Sequence, residues 1–140
     1  MATPRMIDVT LSRIVLRDGE ERQFIVLAEV EGTRGFPIVI GNNEASEIQR
    51  VVHGVEPERP LTHQLAFAVL SALGARLQAV EIVDLKQNTF FARLWLETPG
   101  AEPIAVDARP SDAIALALRA KCPIRVAEEV LAKASDTQAP

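Results

Sequence analysis

Residues 113–120, AIALALRA, place the strongest restriction on the fold of this 140-residue chain. Arg119 is the one charged side chain in this predicted helical segment, so the segment is apolar on almost every face. A helix that is apolar all round has to be buried. The rest of the chain must therefore cover it, and a 48% hydrophobic content is enough for such a core.

Strands and helices alternate irregularly along the chain. The Asp18-Gly19 turn predicts a hairpin, and the turn at 86–88 predicts a second one. The hydrophobic phase changes between Leu11 and Ile14, which predicts a bulge or a strand covered on both faces. This mixture favours an α+β single domain, with a mixed β-sheet with hairpins and about four flanking helices. The predicted strands are 7–16, 23–30, 35–41, 75–85, 89–97, 104–108 and 124–127.

Capping residues mark the predicted helix starts. Asn42 or Asn43 is the expected cap of the first helix, with Gly54 as its stop. Thr62 is the expected cap of the second helix and Ser111 that of the third. The second helix, which ends at Gly74, is apolar nearly all round, so burial is expected there too. A last helix is predicted over 127–134.

The predicted domain covers residues 7–132, with an N-terminal extension at 1–6 and a polar C-terminal tail at 133–140. No run approaches the 18 apolar residues of a membrane span, and the first residues lack the apolar stretch of a signal peptide. We therefore expect a cytoplasmic protein with no membrane partner.

The charge balance restricts the possible partners. A net charge of −4 argues against a passive protein that coats nucleic acid, because such binding neutralises phosphates with Lys and Arg. An acidic protein can still cut nucleic acid through a metal ion held by carboxylates. Twelve of the 15 basic residues are arginine, the side chain suited to two-point phosphate contacts.

Charged residues surround the start of the Ala/Leu helix, and two interpretations are open. In the structural one, Asp112 favours the positive helix end and Arg109 pairs with Asp107 in the protein interior. In the functional one, Asp107 and Asp112 join Asp84 or Glu44 to hold Mg²⁺ or Mn²⁺, while Arg109 contacts a phosphate.

Three further polar residues belong to the functional interpretation. His63 lies in the first turn of the second helix, where the helix dipole favours a neutral imidazole that can act as a base or a ligand. The alternative is that His63 only fixes the helix entry by a hydrogen bond. Asp84 and Lys86 flank a turn, where they are either a catalytic carboxylate and a phosphate contact or ordinary solvated turn residues.

The strand at 89–97 offers apolar residues on both faces. More apolar surface than one small domain can cover predicts a symmetric homo-oligomer, most simply a dimer, with Trp95 or Phe91 in or near the contact. Arg93 and Trp95 could alternatively stack a base.

Four segments resemble the bifunctional nuclease family over about residues 7–132. They are RPLTHQL at 59–65, DLKQNTFFARLWL at 84–96, DARPSDAIALALRAKCPIRVAEEVL at 107–131 and, more weakly, GNNEASEI at 41–48. The resemblance implies an α+β fold, self-association and metal-dependent hydrolysis of DNA and RNA. The implied cofactor is Mg²⁺ or Mn²⁺, and the implied substrate is nucleic acid.

The sequence departs from the family pattern at three positions. Gln64 stands where the family usually has Asp, Asn88 where it has Gly, and Phe91 where it often has Tyr. If that Asp is a metal ligand in the family, this chain is a weaker nuclease or none. The expectation is therefore a low-efficiency phosphodiesterase, and the alternative is a non-catalytic binding or regulatory module whose polar motifs are structural.

Overall fold

The computed structural model describes residues 4–136, and these form one seven-stranded sheet with four helices. The expected α+β single domain, with a mixed sheet and about four helices, is confirmed. The elements in chain order are β1 (Met6–Val15), β2 (Arg22–Glu29), β3 (Gly35–Gly41), α1 (Asn42–His53), α2 (Thr62–Ala72), β4 (Arg76–Lys86), β5 (Thr89–Glu97), β6 (Ile104–Ala108), α3 (Pro110–Ala120), β7 (Ile124–Ala127) and α4 (Glu128–Asp136).

The strands lie in the order β3-β2-β1-β7-β4-β5-β6. Neighbouring strands are antiparallel except β7 and β4, which run parallel. Both predicted hairpins, β1–β2 and β4–β5, are present. The register shifts between Leu11 and Arg13, so Ile14 returns to the buried face and pairs with Ile25. The change of hydrophobic phase is therefore a bulge.

The sheet curls around α3. The rings of Phe36 in β3 and Phe90 in β5 lie 5.4 Å apart between centroids, although four strands separate β3 from β5 in the sheet. Helix α3 packs against β3, β4 and β5 inside this curve. Its residues 113–117 are at most 6% exposed. The predicted burial of the Ala/Leu helix is confirmed.

The opposite side of the sheet, which we call the convex face, carries a row of charged residues across β1, β7, β4, β5 and β6. Asp8, Arg125, Glu81, Arg93 and Asp107 are cross-strand neighbours on it, in that order. Arg125 pairs with Asp8 at 3.1 Å and Arg93 pairs with Glu81 at 3.0 Å. Side chains that are paired in this way need no covering helix.

The predicted side-chain caps are wrong. The capping positions are Gly41 for α1 and Arg109 for α3, and neither makes a side-chain cap hydrogen bond. Pro110 suits the first helical position because its φ is fixed, so α3 begins before Ser111. Asn42, already inside α1, accepts a hydrogen bond from Gln23 at 2.9 Å.

Helix α2 also starts one residue earlier than predicted. Its capping position is Leu61 rather than Thr62. The Gln64 side chain accepts a hydrogen bond from the Leu61 backbone N–H at 2.6 Å. Gln64 thus provides an acceptor for a backbone N–H that has no partner within the helix. The predicted stops at Gly54 and Gly74 are confirmed, since both adopt left-handed φ angles of 68° and 75° just after α1 and α2.

The predicted burial of α2 is wrong. Leu61, Leu65, Val69 and Leu73 form a stripe at four-residue spacing and are 44% to 74% exposed. The reason is that α2 lies outside α3 and the beginning of β4, so only one of its sides is covered. Within residues 4–136, no helix is long and apolar enough to cross a membrane.

The structured domain extends beyond its predicted bounds at both ends. Met6, placed in the predicted extension, is the first residue of β1, and α4 extends through the first half of the predicted tail. Ala134 in α4 is 4% exposed. Residues 1–3 and 137–140 lie outside the described residues.

One buried carboxylate joins three helices. Glu47 of α1 is fully buried and lies 2.7 Å from Arg119 Nη2 in α3 and 3.1 Å from Arg50 Nη2. Gln64 of α2 donates its amide hydrogen to Glu47 Oε2 at 3.1 Å. Burial opposes ionisation of Glu47, but the hydrogen bonds from both arginines outweigh it and lower its pKa. We call these four residues the Glu47 cluster.

We expect the removal of one charge to reduce the free energy of unfolding most within the Glu47 cluster. Arg119→Ala should lower the free energy of unfolding by roughly 3 kcal/mol, because it leaves a buried carboxylate without its nearest cation. Urea unfolding measures this. Arg125→Ala is the control, since its ion pair with Asp8 is exposed and should contribute less than about 1 kcal/mol. Equal losses in the two variants would contradict the stabilising role of the cluster.

Candidate functional site

The first turns of α1, α2 and α3 meet the end of β6 at a cavity of about 920 Å³. This volume is within the range of small-molecule sites in proteins. We call this cavity the helix-end pocket. Its polar lining residues are Asn43, Glu44, Ser46, Arg50, Thr62, His63, Asp107, Arg109 and Asp112.

A continuous chain of charged contacts runs across the helix-end pocket. Arg109 Nη2 lies 2.8 Å from Glu44 Oε1. Arg109 also donates from Nε to Asp112 Oδ2 at 2.9 Å and from Nη2 to Asp112 Oδ1 at 3.2 Å. His63 Nε2 lies 2.8 Å from Asp112 Oδ1. The four side chains therefore connect α1, α2 and the start of α3.

These contacts fix the charge states of Asp112 and Arg109. Partial burial opposes ionisation of Asp112, but the hydrogen bonds from Arg109 and His63 outweigh it, so the Asp112 pKa is lowered. The hydrogen bonds from Arg109 to Asp112 raise the pKa of the guanidinium. Asp112 is thus an ionised carboxylate that only accepts hydrogen bonds.

The ionised Asp112 also fixes the tautomer of a neutral His63. Because the carboxylate only accepts, the proton of the neutral ring has to be on Nε2, and Nδ1 keeps a lone pair. The His63 side chain is 15% exposed. This pairing of a histidine with an orienting carboxylate is the arrangement of a general base.

The predicted pairing of Arg109 with Asp107 is wrong. Pro110 starts α3 directly after Arg109, which places Asp112 one turn away on the same helix face. The Arg109 side chain is 66% exposed, so the predicted sealed interior pair is wrong as well.

Asp107 lies at the border of the helix-end pocket. Its direct cross-strand partner is Arg93. Opposed residues in an antiparallel pair share a face, so the Asp107 side chain lies on the convex face, away from Asp112.

Asp84 and Lys86 do not line the helix-end pocket. Lys86 Nζ lies 3.2 Å from Asp84 Oδ2 at the far end of β4, and both side chains are exposed. The hydrogen bond from Lys86 lowers the pKa of Asp84. This local pair matches the ordinary turn interpretation rather than the catalytic one.

The predicted metal ligands do not form one cluster. Among residues 4–136, no group of three or more His, Cys, Asp or Glu side chains could hold a metal ion. Glu44 and Asp112 do approach one site, but the Arg109 guanidinium lies between them. Two carboxylates fit a Mg²⁺ ion that is completed by water and substrate phosphate, and they do not fit a resident all-protein site.

Gln64 is turned away from the helix-end pocket and belongs to the Glu47 cluster. A carboxylate at this position would lie beside the Glu47 carboxylate and repel it. The glutamine in place of the usual aspartate therefore removes no ligand from the helix-end pocket of this chain.

Trp95 and Phe91 lie on the strand that pairs with β4 and β6. Trp95 donates its indole N–H to Glu81 at 2.7 Å, and the Arg93 guanidinium lies 5.2 Å from its ring centroid. Phe91 is 41% exposed. Trp95 thus already has partners in its own chain.

Sequence reasoning missed Asn43, Ser46, Arg50 and Thr62 as lining residues of the helix-end pocket. Asn43 and Thr62 lie in the first turns of α1 and α2, and Ser46 and Arg50 lie further along α1. For Asn43 and Thr62 the available signal was their position at predicted helix starts that also carry Glu44 and His63, but the convergence of all four depends on tertiary packing.

Comparisons with known proteins agree with the resemblance. The profile of the bifunctional nuclease domain matches residues 25–138. The uncharacterized protein Rv1829 of Mycobacterium tuberculosis is 43% identical over 129 residues, which are 92% of this chain and 76% of that protein. Bifunctional nuclease 1 of Arabidopsis thaliana is 30% identical over 105 residues, 73% of this chain and 32% of the plant protein. Bifunctional nuclease 1 of Oryza sativa subsp. japonica is 28% identical over 114 residues, 79% of this chain and 34% of that protein.

Proposed function

Because this chain belongs to the bifunctional nuclease domain family, we propose that it hydrolyses phosphodiester bonds of DNA and RNA, and that the helix-end pocket is the reaction site. The observation that carries this proposal is the contact chain His63–Asp112–Arg109. It combines a base, a carboxylate that orients the base and a cation for the phosphate. The plant relatives are about three times longer than the matched region, so their names support this activity only as a proposal.

In the proposed reaction, His63 Nδ1 takes a proton from a water molecule as its oxygen attacks phosphorus. The bond from phosphorus to the leaving oxygen breaks in the same displacement. Asp112 keeps His63 in the required tautomer and stabilises the imidazolium that forms. Arg109 donates hydrogen bonds to the non-bridging oxygens, where negative charge accumulates.

Low efficiency follows from the pairing of Arg109. Two carboxylates, Glu44 and Asp112, already compensate its charge. A substrate phosphate has to compete with both of them for the same guanidinium. Glu44 and Asp112 would hold a Mg²⁺ or Mn²⁺ ion that arrives with the phosphate, and that ion would polarise a phosphoryl oxygen.

The alternative function is a non-catalytic binding or regulatory module. It is favoured by one observation: Glu44, Arg109, Asp112 and His63 are all paired with one another, as in a structural tie. Cleavage of labelled substrates separates the two proposals.

Purified protein should cut labelled single-stranded DNA and RNA in Mg²⁺ or Mn²⁺, and EDTA should stop the reaction. His63→Ala should lower the cleavage rate by about 100-fold or more, since a positioned general base contributes on that order. His53→Ala is the matched control, because His53 is exposed at the other end of α1. Asp84→Asn should also keep activity, because Asp84 lies outside the helix-end pocket.

Equal rates for His63→Ala and wild type would contradict the proposed site. The absence of EDTA-sensitive cleavage by wild-type protein would favour the non-catalytic module.

We also propose a homodimer, with the exposed stripe of α2 in the contact. Residues 60–75 contain no charged side chain, and the stripe is apolar along its whole length. Such an uncharged face is complementary to an identical one across a two-fold axis. Trp95 is less suited to this contact, because its indole and ring already have partners in the same chain.

Light scattering coupled to gel filtration should give twice the chain mass of 15.3 kDa. Leu65→Glu should convert this species to the monomer, because it places a charge in the middle of the apolar contact. Val39→Glu, at an equally exposed apolar residue of β3, is the control and should keep the dimer mass. If the Leu65→Glu variant still has the dimer mass, the contact lies elsewhere, and the surface around Phe91 is the next one to test.

A further inference from the structure

A second cavity, of about 490 Å³, adjoins the helix-end pocket. Its walls come from the start of β2, from β3, from the β4–β5 turn and from the start of α3. Arg109 is a lining residue of both cavities, so the two cavities are neighbours. We call this second cavity the Arg22 pocket.

The two cavities differ in charge. The Glu44 and Asp112 carboxylates line the helix-end pocket, whereas no Asp or Glu of the described residues lines the Arg22 pocket. Arg22 is exposed, and it forms no ion pair with any residue between 4 and 136. Its charge is therefore available to an anionic ligand, unlike that of Arg109.

Uncharged polar groups accompany Arg22 in this cavity. Asn88, Thr89 and Ser111 line it, and Phe90 is among its apolar lining residues. Gln87 and Asn88 adopt left-handed φ angles of 51° and 62°, the conformation of a tight two-residue hairpin turn. An arginine, hydroxyl groups and an apolar wall are the groups that contact the phosphate and the base of a nucleotide.

We infer that the Arg22 pocket binds the nucleotide next to the cleaved phosphate, and that Arg22 contacts its phosphate. The inference rests on the proposed nuclease function of the helix-end pocket. The bound nucleic acid then runs from one cavity to the other across Arg109. The substrate is accordingly a single strand of at least two nucleotides rather than an isolated phosphodiester.

Fluorescence anisotropy with a labelled single-stranded phosphorothioate octanucleotide tests this. Arg22→Ala should weaken binding by roughly tenfold or more at low salt, since one charged hydrogen bond is lost. It should also make the plot of the logarithm of the binding constant against the logarithm of the salt concentration less steep by about 0.7. This is the value for one phosphate contact on a single strand. Arg13→Ala is the matched control, because it removes the same charge from an exposed residue of β1.

Hydrolysis of bis(p-nitrophenyl) phosphate separates this inference from the proposed function. This small diester has one phosphate and no neighbouring nucleotide, so its cleavage by wild-type protein tests the proposed function without the nucleotide that the Arg22 pocket would bind. If wild-type protein cleaves it while Arg22→Ala and Arg13→Ala bind the octanucleotide with the same salt slope, the inference is overturned and the proposed function stands. A different result would overturn the catalytic proposal alone: wild-type protein does not cleave the diester, but the salt dependence of its octanucleotide binding changes in Arg22→Ala. No binding of the octanucleotide by wild type would overturn the inference.

Discussion

The buried carboxylate of Glu47 is the constraint on which the arrangement of the helices depends. A carboxylate with no solvent exposure needs cations and donors around it, and here α3 supplies Arg119 while α2 supplies Gln64. These contacts join α1 and the first turn of α2 to the last turn of α3. Glu44 lies one turn before Glu47 on α1, His63 directly precedes Gln64 on α2, and Asp112 lies about two turns before Arg119 on α3. The buried cluster thus fixes the helices that carry the polar groups of the helix-end pocket.

The chemistry of the pocket follows from this second layer of contacts. Arg109 connects Glu44 to Asp112, and Asp112 connects Arg109 to His63. The hydrogen bonds from Arg109 and His63 lower the pKa of Asp112. The ionised Asp112 in turn keeps the proton of a neutral His63 on Nε2, which leaves a lone pair on Nδ1. A cation shared by two acids is well placed for a phosphate but is not free to bind it strongly. The Arg22 pocket, which has no carboxylate in its lining, supplies the charge that the helix-end pocket lacks.

Sequence periodicity was sufficient for the elements of the fold. The phase change before Ile14 indicated a bulge or a strand covered on both faces, and the structure has the bulge. The Ala/Leu pattern correctly indicated the buried α3, because burial of this helix follows from its composition. Composition failed for α2, since an apolar helix can lie in an outer layer with one face uncovered. His63, Asp112 and Arg109 were predicted individually from their places at helix starts. The partner of Arg109 was not predicted correctly. The choice between Asp107 and Asp112 depends on where Pro110 begins the helix and on which face of the sheet the Asp107 side chain occupies in β6.

Backbone amide NMR during titration with a phosphorothioate dinucleotide tests most directly whether nucleic acid binds where the three helices meet. The largest chemical-shift changes are expected near the starts of α1, α2 and α3, at residues 43–46, 62–66 and 111–113. Changes confined to the convex face, around Arg93, Trp95 and Arg125, would contradict it.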